Sequence, residues 1–172
     1  LHICYCLTPT RYVWQIDAYL DRESYGPLMG TAIRPVVNFL RFWDFAATRG
    51  VHQFIAISTA IQQRIKSYYK RDPEIIFPPV ETDRFQPTPS HDDYFLVVSR
   101  LIPYKRIDLA VRAATKIGAP LKVGGSGRAL DALREVAGPT VEFLGYVPDE
   151  DLNELMARAK AFIFPGLEDF GI

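Results

Sequence analysis

Three polar stretches, each placed directly after an apolar run, carry the residue types best suited to chemistry in this chain. Arg100 closes the run Tyr94–Ser99 (YFLVVS), and Lys105 stands where a helical pattern begins. Cations beside a helix N-terminus, with its free N–H groups and partial positive charge, suit a diphosphate, and an arginine fork can hold two oxygens at once. Two solvated surface cations are the competing reading. The second stretch, Gly124-Gly125-Ser126-Gly127, follows Leu121–Val123. Glycines let a backbone approach a ligand closely, but a tight left-handed turn between strand and helix needs them equally. Gly125-Ser126-Gly127-Arg128-Ala129-Leu130 lacks the third glycine of the dinucleotide fingerprint and follows the second strand of its run, not the first. In the third stretch, Glu168 and Asp169 follow Ala161–Pro165. A carboxylate there can bind sugar hydroxyls, or it can cap a helix.

The elements that must position these residues alternate regularly. Tyr94–Ser99 reads as a buried strand. Ile107, Ala110, Val111, Ala114 and Ile117 recur at helical spacing over Arg106–Ile117, and Gly118 with Pro120 stops that helix. Leu121–Val123 is a second strand, Arg128–Ala137 a helix and Val141–Leu144 a third strand. Asp149–Lys160 is a helix with acids in its first turn and bases in its last, and Ala161–Pro165 is a fourth strand. Strands and helices in strict alternation with short links predict a parallel α/β sheet with helices on both faces. In such a sheet ligands bind at the carboxyl ends of strands, so the three polar stretches fall on one edge.

The first half alternates more loosely. His2–Cys6, Gln53–Ser58 and Glu74–Val80 read as strands, and Arg34–Thr48 and Thr59–Tyr69 as helices. The polar stretch Glu81–Asp93, with Pro87 and Pro89, reads as the connection between two α/β domains. The expected organisation is 1–85, a linker over 86–93, and 94–172.

Twenty basic and twenty acidic residues cancel over 172 positions, and 48% of residues are hydrophobic. This mix excludes a disordered chain and disfavours a nucleic-acid binder held by a global positive field. No apolar run approaches the ~20 residues that span a bilayer. The balance hides an asymmetry. Arg34, Arg41, Arg49, Arg64, Lys66, Lys70 and Arg71 are accompanied by one acid, Asp44, a net of +6 over 34–71. That stretch could hold a domain against anionic lipid, assisted by Phe39, Phe42, Trp43 and Phe45. The favoured expectation is that these aromatics pack inward.

Cys4 and Cys6 sit two apart, on one face if the segment is a strand. They are too few for a disulfide framework, and His2, His52 and His91 do not supply metal-ligand spacing. Buried free thiols in a reducing compartment are expected. Because both ends run straight into strand-like segments, the chain is expected to be part of a longer protein.

Taken together, these residues resemble the retaining GT-B glycosyltransferases, specifically glycosyltransferase family 4 (group 1). The resemblance rests on Val98-Ser99-Arg100-Leu101 with Lys105-Arg106, Val123 through Gly127, Val141 through Val147, and Phe164-Pro165 through Glu168-Asp169-Phe170-Gly171. In the first half, Ile57-Ser58 leading to Arg64-Ile65, and Phe77 through Phe85, look like the same family. Cys6 through Tyr12 with Trp14 is similar to a subgroup that uses GDP-mannose. The resemblance implies two Rossmann-like domains, both incomplete here. It also implies transfer of a sugar, mannose in that subgroup, from a nucleotide-diphosphate donor to a glycan or lipid-linked acceptor. Arg100 and Lys105 would bind the diphosphate, and Glu168, as the first Glu of an E-x7-E motif, would contact the donor sugar. Gly125, Ser126, Gly127, Tyr146, Val147, Asp169, Phe170 and Gly171 would line the donor, with Tyr146 and Val147 near its base. Arg11, Tyr12 and Trp14 would lie on the acceptor side. No metal or other cofactor is expected, no nucleic-acid partner, and a cytoplasmic location with peripheral contact at the inner membrane face.

Two features depart from the pattern. The second Glu of the motif would fall past Ile172, and Leu7 stands where the subgroup commonly has His. The segment alone is therefore expected to be inactive, and a non-catalytic nucleotide-sugar binding domain is the main alternative. A GT-B epimerase would need acids and histidines that have no place here, and a nicotinamide dehydrogenase would need the missing first-turn glycines and ribose acid.

Overall fold

Two parallel sheets, each built from its own run of strands and helices, make up the computed structural model. It describes residues 1–17, 20 and 27–171, with side chains for all of these but 27–31 and Arg84. The chain forms two compact units, one of Leu1–Val80 with Glu168–Ile172 and one of Glu81–Leu167. The sequence reading groups 168–172 with the second half, whereas the backbone places that stretch with the first unit.

In the first unit, β1 (Ile3–Cys6), β2 (Gln53–Ala56) and β3 (Glu74–Ile75) lie parallel in the order β1-β2-β3, with Ile3 opposite Gln53 and Ile55 opposite Glu74. Among the described residues, helices α1 (Arg11–Trp14), α2 (Pro27–Ala47) and α3 (Thr59–Tyr69) belong to this unit. The Ser58 hydroxyl caps α3 by accepting from the Ile61 amide at 3.2 Å. Ile61, Ile65 and Tyr69, spaced by four, turn one stripe of α3 onto Cys6, Phe54 and Ala56. Ile61 and Ile65 are fully buried, which stabilises the unit by roughly 2–3 kcal/mol each. The opposite face of this sheet carries exposed Ile3 and Tyr5, and β1 forms one of its edges.

Two elements differ from the sequence expectation. α2 begins at Pro27 rather than Arg34, and Pro35 sits inside it. A proline usually marks a first turn, since it lacks an N–H and crowds the preceding turn, so Arg34-Pro35 reads as a start although it is interior. β3 ends at Ile75, with one further bond from the Ile76 amide to the Ala56 carbonyl at 3.0 Å, because Pro78 and Pro79 cannot donate to a ladder. The aromatic expectation also needs correction. Phe39, Phe42 and Trp43 are each more than 60% exposed, and of the four only Phe45 joins the core.

In the second unit, β4 (Phe95–Val98), β5 (Leu121–Gly124), β6 (Val141–Gly145) and β7 (Ala161–Phe162) lie parallel in the order β6-β5-β4-β7. Their crossovers are α4 (Ile107–Ile117), α5 (Leu130–Val136) and α6 (Asp149–Arg158). The steps β4 to β5 and β5 to β6 run in one direction across the sheet, and β6 to β7 runs back. With right-handed crossovers, α4 and α5 share one face and α6 takes the other. Val97, Leu121 and Val123 pack with Ile107, Val111, Ala114 and Leu133 on the α4–α5 face. Gly118, at φ 67°, ends α4. The predicted strand at Ala161–Pro165 is shorter than expected, since its ladder ends after Phe162 apart from an Ile163 amide bond to Leu96 at 2.7 Å.

The polar stretch before β4 is tied down within this unit. Arg158 grips Asp92 through Nε and Nη2 at 2.9 and 2.8 Å, Lys160 pairs with Asp93, and the Thr88 hydroxyl donates to the Ala157 carbonyl at 3.0 Å. Among the described residues, no helix is long and apolar enough to cross a membrane.

Candidate functional site

The strand order of the second unit fixes where a ligand can enter. Connections leave β4 in one direction and return on its other side at β7, so the chain parts at the carboxyl ends of these two strands. Arg100 and Lys105 are both delivered there by the loop after β4. The Ile102 amide donates to the Arg100 carbonyl at 3.0 Å in a tight three-residue turn, and bonds from the Lys105 amide to the Ile102 carbonyl at 3.0 Å and from the Arg106 amide to the Pro103 carbonyl at 3.1 Å wind the following 3₁₀ turn at Pro103–Lys105. Lys105 Nζ lies 5.4 Å from the Tyr104 ring and 5.9 Å from that of Phe164, just past β7, which puts this cation beside the opening. Arg100 is exposed and makes no ion pair among the described residues. Arg106, at φ 55°, is engaged by Asp108 at 3.1 and 3.4 Å.

The glycine stretch is explained by backbone packing. A Cβ on Gly125 would lie 1.9 Å from the Ser99 carbonyl oxygen, and one on Gly127 would lie 2.3 Å from that of Leu101. The Ser99 amide donates to Gly124 at 3.1 Å, the Leu101 amide to Ser126 at 2.9 Å, and the Gly125 amide to Gly145 at 2.6 Å. The glycines thus weld the turn after β5 to the loop that carries Arg100. Ser126 is exposed beside them. Of the pair expected near a nucleotide base, Tyr146 is 80% exposed, while Val147 packs where a Gly124 side chain would otherwise sit. Both line a groove of about 410 Å³ with Tyr94, Lys122, Leu155 and Arg158.

Glu168, Asp169, Phe170 and Gly171 belong to the first unit, and Arg100 and Lys105 to the second. Asp169 is expected to meet a donor, yet its carboxylate is buried and turned to two arginines. Arg11 donates to Oδ2 through Nη2 at 2.6 Å and Nε at 3.2 Å, and Arg64 donates to Oδ1. Burial by itself raises the Asp169 pKa, but hydrogen bonds from Arg11, Arg64 and Thr8 together outweigh it and hold the carboxyl below the usual carboxylate range. Arg11 Nη2 also lies 3.8 Å from Glu168 Oε2. Phe170 stacks on Phe77 at 6.0 Å.

The remaining acceptor-side candidates separate. Tyr12 is 64% exposed. Trp14 is built into the core: it stacks on Tyr68 at 4.6 Å and donates through Nε1 to Asp44 Oδ2 at 2.6 Å. Asp44 also accepts from the Thr10 hydroxyl at 3.1 Å and the Tyr69 hydroxyl at 2.8 Å. Burial, then this bond, pushes the Tyr69 phenol well above its ordinary value. Arg64 and Asp44 are absent from the sequence-derived site. Asp44 had a legible signal as the one acid among seven bases. For Arg64 the signal was a cation directly beside Ile65 on an inward-facing helix stripe.

A parallel sheet whose strand order reverses between β4 and β7, with helical crossovers, is a doubly wound α/β architecture. The chain belongs to the family of glycosyl transferases group 1, whose model matches residues 80–172. No curated protein matches the chain by sequence. Among solved structures, AviGT4, a glycosyltransferase involved in avilamycin A biosynthesis, is similar with 24% identity and a TM-score of 0.55 over 64% of this chain and 34% of its own. Anabaena Alr3699/HepE in complex with UDP is similar with 19% identity and a TM-score of 0.59 over 69% of this chain and 39% of its own. The pneumococcal O-GlcNAc transferase GtfA, in complex with UDP and GlcNAc, gives 19% identity and a TM-score of 0.54 over 70% and 26%. At these identities the likeness is one of fold, of GT-B type. The chain spans about a third of the length of AviGT4.

Proposed function

We propose that the protein takes part in retaining transfer of a sugar, mannose in the first instance, from a nucleotide-diphosphate sugar to a glycan or lipid-linked acceptor. The observation that carries this reading is the placement of Arg100 and Lys105 by one short turn at the switch point of a group 1 glycosyltransferase fold. Loss of a nucleoside diphosphate builds negative charge on phosphate oxygens. Prepositioned guanidinium and ammonium groups stabilise that charge without reorganising, the task a divalent ion performs elsewhere. The family resemblance gives Glu168 and the backbone amides near Gly171 a role toward the donor sugar, and Tyr146 and Val147 one toward its base.

In the intact protein, Arg100→Ala and Lys105→Ala are expected to lower kcat on the order of 100-fold or more with little change in Tm, since both side chains lie outside the core. Near-normal turnover in both variants rejects the reading. Leu7 favours a second reading, a nucleotide-sugar binder without transfer. Calorimetry with GDP, UDP and their sugars, beside a transfer assay, separates the two. It also distinguishes the bases, with UDP a natural first ligand because the HepE and GtfA structures are complexes with UDP.

A further inference from the structure

We propose that Asp169, clamped by Arg11 and Arg64, is a positioning residue that sets the direction of the neighbouring Glu168 before the donor sugar arrives. The inference rests on the sugar-transfer reading and deepens it by giving three residues a task that involves no contact with substrate.

Residues 168–171 have no helix or strand of their own. An irregular segment has no ladder of backbone bonds to fix it, so side-chain anchors contribute to the precision of Glu168. Asp169 is one of them. Both its oxygens are occupied by guanidinium donors, which are charge-assisted and directional. The donors come from two different elements, α1 and α3, so the carboxylate is held from two directions. Arg64 stands on a rigid base, since Ile61 and Ile65 on either side of it in sequence are fully buried.

Arg11 links the clamp to the working carboxylate, with Nη2 at 2.6 Å from Asp169 Oδ2 and 3.8 Å from Glu168 Oε2. Two carboxylates compete for one guanidinium, and Asp169 has the closer contact. With Asp169 in place, Glu168 remains turned toward Arg11 without being fully bound by it. With Asp169 neutralised, Arg11 closes on Glu168 and draws it away from the sugar. Asp169 therefore fixes both the backbone of the segment and the share of Arg11 that Glu168 receives.

The test measures transfer in the intact protein with GDP-mannose and with UDP-glucose, using GDP and UDP as sugarless controls. Asp169→Asn keeps the shape and removes the charge. Its kcat is expected to fall on the order of 100-fold while GDP or UDP affinity stays within about twofold, because only the sugar contact is misplaced. Arg64→Lys, which keeps charge but loses the fork, is expected to fall between wild type and Asp169→Asn. The Arg64→Ala/Asp169→Asn pair should be no slower than the slower single variant, as for residues acting through one contact. Wild-type turnover in folded Asp169→Asn, or nucleotide affinity falling in step with turnover, overturns the proposal. Glu168→Gln separates the two levels. Its inactivity beside an active Asp169→Asn sinks the positioning role alone, and an active Glu168→Gln sinks the donor role of Glu168 as well. A wild type that uses neither sugar overturns both.

Discussion

Arg11 Nη2 lies 2.6 Å from Asp169 Oδ2 across 158 positions of sequence, so the last described residues of the chain are anchored beside one of its first helices. Burial alone would raise the Asp169 pKa, but its hydrogen bonds outweigh that and depress it. A depressed folded-state pKa contributes stability that is fully present above the unfolded aspartate value of about 3.9 and is lost as pH falls through the folded value. Acid titration by circular dichroism is expected to show wild type losing stability below about pH 4, with Asp169→Asn flatter over that range. At neutral pH, Arg64→Ala is expected to cost about 3 kcal/mol in urea, the low end for breaking a buried pair, since the Arg64 side chain is 18% exposed. An unchanged midpoint would show the clamp to be energetically idle.

Cys6 gives a prediction at the opposite end of the pH scale. Burial, then the charges of Cys4, Asp44 and Asp169, push its thiol up to about 12. The native thiol is therefore neutral at pH 8 and is expected to resist iodoacetamide until the protein unfolds. Because the unfolded thiol ionises at about 8.5, its contribution to stability is complete below that pH and is lost as pH rises toward about 12. Rapid native labelling of Cys6 would contradict the burial.

Gly125 and Gly127 allow a sterically defined test. Alanine at either must move the Ser99 or Leu101 carbonyl, at 1.9 and 2.3 Å from the added carbon, and must also adopt positive φ. Each is expected to cost about 2 kcal/mol or more in urea. Gly50→Ala is the control, having nothing within 4 Å of the added carbon. Equal stability in all three variants would show that the turn after β5 is not welded to the loop of Arg100.

The exposed stripe of α2 bears on peripheral membrane contact. Phe39, Phe42 and Trp43 are 66, 68 and 63% exposed within the basic stretch 34–71. Apolar rings beside cations suit an anionic lipid surface. Co-sedimentation with vesicles containing phosphatidylserine is expected to exceed that with phosphatidylcholine alone and to fall with salt. Equal recovery from both removes the membrane contact.

The repeating part of the fold was legible and the site's support was not. Ile107, Ala110, Val111 and Ala114 announce α4 because a covered helix face leaves a 3.6-residue signature, and all four are buried. The strand expected over Glu74–Val80 exceeds the observed Glu74–Ile75 because apolar composition says nothing about donors, and two prolines end the ladder. Phe39, Phe42 and Trp43 look like core because aromatic residues usually are, yet periodicity does not say whether a partner covers them. Arg100 and Lys105 are legible as strand-end cations because a buried strand followed by a helix start is a local pattern, and the structure puts both in the loop after β4. Asp169 could not be assigned to Arg11 and Arg64, since that pairing depends on which unit the segment 168–171 joins, and no local pattern records it.

The outward side chains of β1 have a practical consequence. Ile3 and Tyr5 face outward on a strand at the sheet's edge, an arrangement in which backbone donors and acceptors stand open beside greasy side chains. Ile3→Lys or Tyr5→Lys is therefore expected to make concentrated solutions of this polypeptide scatter less light and elute later from a sizing column than the unsubstituted chain.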